Sequence, residues 1–161
     1  MNENSDILII GIGNEWIGDD AFGIYAVKKL QKQHPDLGRF QLISGDLSRL
    51  LTLWENKKVI IIDAACSTTK PAGHVYELDS YHNMVSYDNV FYSSHSFGLE
   101  EILQMASAIG RLPPSLKLIG VEGSNWQKGH PISKEVKKAY DTVEKIVLNY
   151  LTELPISSTS K

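Results

Sequence analysis

The chain alternates short runs of unbroken apolar residues with stretches of helical periodicity. Ile7 to Ile12 is apolar except at Gly11, then Gly13-Asn14 breaks the run and a helix-like stretch follows from about Ala21 to Gln33, so the segment reads strand, loop, helix. A second unit follows the same plan, with a short strand over Phe40 to Ile43 and a short helix whose apolar face is Leu47, Leu50, Leu51 and Trp54. Val59-Ile60-Ile61-Ile62 is β-branched and does not alternate, the pattern of a central parallel strand covered on both faces, and it stops at Asp63. Pro71 and Gly73 mark a turn into an edge strand over His74 to Leu78, followed by a loop through Phe91. Leu99, Ile102, Leu103 and Ala106 recur at helical spacing within about Phe97 to Ile109, which Pro113-Pro114 prevents from continuing. Leu116 to Val121 reads as the last parallel strand, and Val136, Ala139, Tyr140, Val143, Ile146, Val147 and Tyr150 as one long amphipathic helix. This alternation predicts an α/β domain with a mixed, mostly parallel sheet between helices, and no internal repeat interrupts it.

A length of 161 residues suits one domain, here 1–156, with a polar tail from Ser157 to Lys161 that is expected to fray. Sixteen basic against nineteen acidic residues give a net charge of -3, which argues against general nucleic-acid binding. No basic, apolar leader opens the chain and charges interrupt every stretch long enough to span a bilayer, so a cytoplasmic protein without a membrane span is expected. Cys66 is the only cysteine, which excludes an intramolecular disulfide and a thiolate metal cluster.

Ligand sites of parallel sheets lie beyond the carboxyl ends of the strands, and three polar groups are expected there. Gly11-Ile12-Gly13-Asn14-Glu15-Trp16 begins like a dinucleotide fingerprint, but Trp16 stands where the third glycine belongs. Gly13 to Gly18 has the glycine spacing of a phosphate loop, yet Asp19-Asp20 replaces its Lys-Ser or Lys-Thr pair and repels phosphate. No nucleotide cofactor is therefore expected. Asp19 or Asp20 can instead cap the following helix. Asp63 is placed to present a carboxylate at the sheet edge, with a loop cap as its plainer role. His95, in Ser93-Ser94-His95-Ser96 before a helix, can return an imidazole to the same edge, or sit on the surface. Asp20, Asp63 and His95 together form an oxygen and nitrogen donor set for a divalent metal, and that set alone leaves nickel, zinc, iron and manganese open. Ser96 lacks the glycine elbow of a serine hydrolase, and Cys66 could be activated as a nucleophile by His95, though its position just past a strand shows neither an exposed thiol nor a low pKa.

The run Ile7 to Asn14 with Gly18-Asp19-Asp20, Phe22-Gly23, Asp63-Ala64 and Ser94-His95 resembles the hydrogenase maturation endopeptidase family over about residues 7 to 150. The resemblance implies a single three-layer α/β/α domain that removes a C-terminal extension from the precursor of a nickel-iron hydrogenase large subunit after nickel insertion. It implies that Asp20, Asp63 and His95 contact nickel presented by that precursor and carry the catalysis. Ser67-Thr68-Thr69-Lys70 is more polar than the glycine-rich forms common in the family. Trp16 and Ile17 read either as an apolar docking ridge or as a loop folded back over the core, and the tyrosines between Tyr81 and Tyr92 as a second contact surface. The competing functions are a noncatalytic metal-dependent protein-recognition module and a phosphate- or nucleotide-binding enzyme. Oligomeric state is left open.

Overall fold

The computed structural model describes residues 6–79 and 98–153, and within them the unbroken apolar segments become the middle of a sheet. Its strands are β1 (Ile7–Ile12), β2 (Arg39–Ile43), β3 (Lys58–Ala65), β4 (Val75–Leu78) and β5 (Ser115–Glu122), in spatial order β2-β1-β3-β5-β4. The first three and β5 are parallel, and β4 closes one edge antiparallel to β5. From β1 the chain steps out to β2 and then returns to the other side of β1 as β3. The strand order therefore reverses between β1 and β3, which opens a crevice at their carboxyl ends.

Consecutive residues of the central strands face opposite layers, and both layers are dry, which is why the apolar runs do not alternate. Leu8, Ile10, Val59, Ile61 and Leu118 pack under α2 (Leu50–Leu53) and α3 (Leu99–Ala108) together with Trp54. Trp54 is fully buried, and its indole N–H donates to the Arg111 carbonyl at 2.9 Å, so its one polar atom is satisfied. Ile9, Ile60, Ile62, Ile119 and Val121 pack on the other face against α1 (Phe22–Gln33), α4 (Lys134–Lys138) and α5 (Tyr140–Glu153). The result is the expected α/β/α sandwich. Helix α1 lies close on the sheet at Gly23, where a Cβ would stand 2.3 Å from the Ile12 carbonyl oxygen and 2.5 Å from that of Ile62. That contact seats the start of α1 over the β1–β3 crevice.

Local boundaries depart from the sequence reading in four places. Strand β3 runs two residues past Asp63, because Asp63, Ala64 and Ala65 pair with Gly120, Val121 and Glu122. Gly18–Ala21 is a 3-10 turn leading into α1, and neither Asp19 nor Asp20 caps a helix with its side chain. The Leu47 to Trp54 segment is a 3-10 turn (Leu47–Arg49) followed by a single α-helical turn. The last helix is divided at Ala139 into α4 and α5. Among the described residues no helix is long and apolar enough to cross a membrane. The loop through Phe91 and the tail from Ser157 lie outside the described residues.

Candidate active site

The crevice between β1 and β3 is lined by acid. The 3-10 turn after β1 carries Asp19 and Asp20, both almost wholly buried, and Asp63 projects from β3 with only 2% of its surface exposed. The Asn14 amide donates to Asp20 Oδ2 at 3.2 Å, folding the loop back over the carboxylate. The fold-back needs Gly13 (φ 153°), since a Cβ there would lie 2.0 Å from the Asp20 carbonyl oxygen. Asp63 Oδ1 accepts the Ala64 amide at 2.8 Å. Burial pushes the Asp63 carboxyl well above its ordinary range, the negative charge of Asp20 pushes it further, and the Ala64 hydrogen bond opposes both. The two carboxylates are thus neighbours in a desolvated site, the arrangement in which one of a pair readily holds a proton.

Asp19 does something different. Its Oδ2 accepts the amides of Ser124 and Asn125 at 2.8 and 2.9 Å, and its Oδ1 accepts the amide of Ser133 at 2.7 Å, with the Ser133 hydroxyl 3.0 Å from both oxygens. Instead of capping the adjacent helix, the side chain ties the turn to the loop after β5 and to the start of α4. Asp20 is held in place by this anchor on its neighbour.

A further buried carboxylate, which the sequence does not single out, lies on the other side of β3 at the end of β5. Glu122 ends β5 and accepts the Ser67 amide at 2.9 Å, the Ser67 hydroxyl at 2.7 Å, the Thr68 amide at 3.3 Å and the Tyr76 hydroxyl at 2.8 Å. The polar loop after β3 is therefore pinned by Glu122, which gives the Ser67 hydroxyl its role there. The available signal was positional: Glu122 ends the strand segment Leu116 to Val121, which Lys117 interrupts, as Asp63 ends Val59 to Ile62. Beside it, burial and the Glu122 charge push the Cys66 thiol up, the opposite of what a thiolate nucleophile requires.

Trp16 stands at the mouth, 68% exposed. Its amide donates to Asn14 Oδ1 at 2.9 Å and its carbonyl accepts the Gly129 amide at 2.7 Å, so the backbone is fixed while the indole faces solvent. Ile17 is half-buried and bridges to Lys128. The exposed Trp16 indole does not fold back over the core. A pocket of about 280 Å³ runs from Gly13 and Asn14 along Trp16 to Leu42 and Lys28.

Residues 24–150 match the hydrogenase maturation protease family. The chain belongs to that family. It is 35% identical over 121 residues to Protein HydD of Wolinella succinogenes, covering 71% of this chain and 74% of that protein. It is 30% identical over 156 residues to a putative hydrogenase maturation protease of Methanocaldococcus jannaschii, covering 91% and 96%. The hydrogenase maturating endopeptidase HybD of Escherichia coli superposes with a TM-score of 0.79 at 26% identity, over 92% of this chain and 93% of that one. The protein is accordingly an endopeptidase of hydrogenase maturation, and the crevice between β1 and β3 is where this protease concentrates its buried carboxylates.

Asp20 and Asp63 converge in that crevice, while His95 lies outside the described residues. Two carboxylates supply oxygen donors that suit a divalent cation. Among the described residues no group of three His, Cys, Asp or Glu side chains is placed to hold a metal ion. His95 is the third candidate ligand that the family resemblance names.

Proposed function

We propose that this cytoplasmic protease removes the C-terminal extension of a nickel-loaded nickel-iron hydrogenase large-subunit precursor, with Asp20, Asp63 and His95 as its metal-contacting and catalytic residues. The observation that carries the reading is the pair of buried carboxylates, Asp20 and Asp63, at the strand-order reversal of a hydrogenase maturation protease. Nickel enters as part of the substrate. Carboxylate and imidazole donors suit it, and docking the precursor's metal on them fixes the adjoining tail at the carboxylates. Water then adds its oxygen to the scissile carbonyl carbon, the C–N bond breaks, and the departing amine takes the proton that water gives up. One of the two buried carboxylates, Asp20 or Asp63, is placed to carry that proton.

The test replaces each residue in turn. Asp20→Asn, Asp63→Asn and His95→Ala are expected to lower the rate of tail removal from the nickel-loaded precursor by about 100-fold or more, the usual scale for a lost acid-base or ligand group. Circular dichroism should remain that of the wild type. Wild-type rates in all three variants would assign the chemistry elsewhere. Binding of the nickel-loaded precursor without trimming by the wild type would favour the recognition module.

A further inference from the structure

On the outer face of α1, away from the crevice, lies a groove of about 690 Å³ lined by Tyr25, Lys28, Lys29, Lys32, Gln33 and Lys137. Four of its six lining residues are cationic, in a chain whose net charge is -3. No ion pair among the described residues engages Lys29, Lys32 or Lys137; only Lys28 has a partner, Glu15 at 3.2 Å. The lysines are held by their floor instead. Lys29 Nζ lies 4.4 Å from the Tyr140 ring centroid and 5.8 Å from that of Tyr25, and Lys137 Nζ lies 5.4 Å from Tyr25. The positive charge is thus clustered and concave, and three of the four lysines make no ion pair among the described residues.

The groove also meets the pocket beside Trp16. Lys28 lines both it and the pocket that runs past Trp16 to Asn14, whose amide holds Asp20. We infer that the lysine groove is an exosite for an acidic segment of the protein substrate, which passes from the lysines over Lys28 and Trp16 to the carboxylate crevice. The inference rests on the protease reading above. Point-charge ammonium groups over aromatic faces match peptide carboxylates, and the chain's overall negative charge disfavours a long polyanion such as DNA. Charges at the rim of an interface act chiefly on encounter and are screened by salt.

The test compares the wild type with a Lys29→Glu/Lys32→Glu/Lys137→Glu variant and with the corresponding triple glutamine variant, both checked for wild-type thermal unfolding. Tail removal from the nickel-loaded precursor is measured at about 25 mM and about 500 mM salt, either side of effective screening. The glutamate variant is expected to lose about tenfold in kcat/KM at low salt through KM, with kcat unchanged, the glutamine variant less, and the difference should vanish at high salt. Equal kcat/KM in all three at low salt, with the wild type cleaving, overturns the exosite and leaves the protease intact. If the wild type does not cleave, the protease reading fails and a fluorescein-labelled octaglutamate peptide decides the groove. Binding at low salt that the glutamate variant loses supports an acidic-peptide site, and equal or absent binding overturns it. Tighter binding of a DNA duplex than of the peptide, lost in the same variant, also overturns it.

Discussion

Buried carboxylates within the same crevice do different work because their hydrogen bonds differ. Asp19 is surrounded by amides and a hydroxyl, so its charge is fully used in holding three segments together. Asp19→Ala leaves buried donors unmet and is expected to destabilise the fold by about 3–5 kcal/mol in urea denaturation. A loss below about 0.5 kcal/mol, the scale of an ordinary surface substitution, would show that the anchor is dispensable. Asp63 is the reverse case. Its folded pKa stands well above the ordinary 3.8, so the folded protein holds a proton that the unfolded chain releases. The stability belonging to the protonated form is full below the unfolded value and is lost as the pH rises through the folded one. Asp63→Asn removes that penalty and retains an oxygen to accept the Ala64 amide. In metal-free protein its Tm should exceed the wild type's near pH 7 and converge with it near pH 4, as expected when a group's folded pKa is raised. An Asp63→Asn variant less stable than wild type at neutral pH would mean that the ionised carboxylate is favoured in the fold. Stability given up at a site proposed to do the chemistry is the familiar trade against activity.

At the scale of elements, the decisive contact is α1 lying on β1 and β3 at Gly23. Gly23→Ala gains helix propensity of about 1 kcal/mol but forces a methyl to within 2.5 Å of two carbonyl oxygens, and overpacking of this kind outweighs the gain. A net loss of about 1–3 kcal/mol is expected by chemical denaturation, with reduced cleavage because the Asp20 turn moves with the helix. A more stable Ala variant would mean that helix and sheet can part without cost. The same scale explains what could be read in advance. Val59 to Ile62 announced a central strand because burial on both faces leaves a mark in every residue, and Asp63 was found because it breaks that run. The end of β3 was misplaced because Ala64 and Ala65 are strand only by virtue of pairing with Val121 and Glu122, a fact their own sequence does not carry. The partners of Asp19 lie 105 to 114 residues away, so only its local option, a helix cap, was visible. Asp20 and Asp63 were legible as a pair because strand-loop-helix order places both at one sheet edge, and the structure brings them together there.

For the whole molecule, a 161-residue α/β/α domain carries its acid at the crevice, an exposed tryptophan at the mouth and a lysine groove beyond. In the proposed function the substrate brings both the metal and the scissile tail, and the proposed exosite would extend its contact beyond the crevice. In the proposed function, nickel in the precursor licenses cleavage at Asp20, Asp63 and His95. The most direct measurement is the intact mass of the large-subunit precursor after incubation with the protease, nickel-loaded beside nickel-free. Loss of the C-terminal extension from the nickel-loaded precursor alone is expected. An unchanged mass in both samples, or equal trimming of the nickel-free precursor, would rule out that role for nickel.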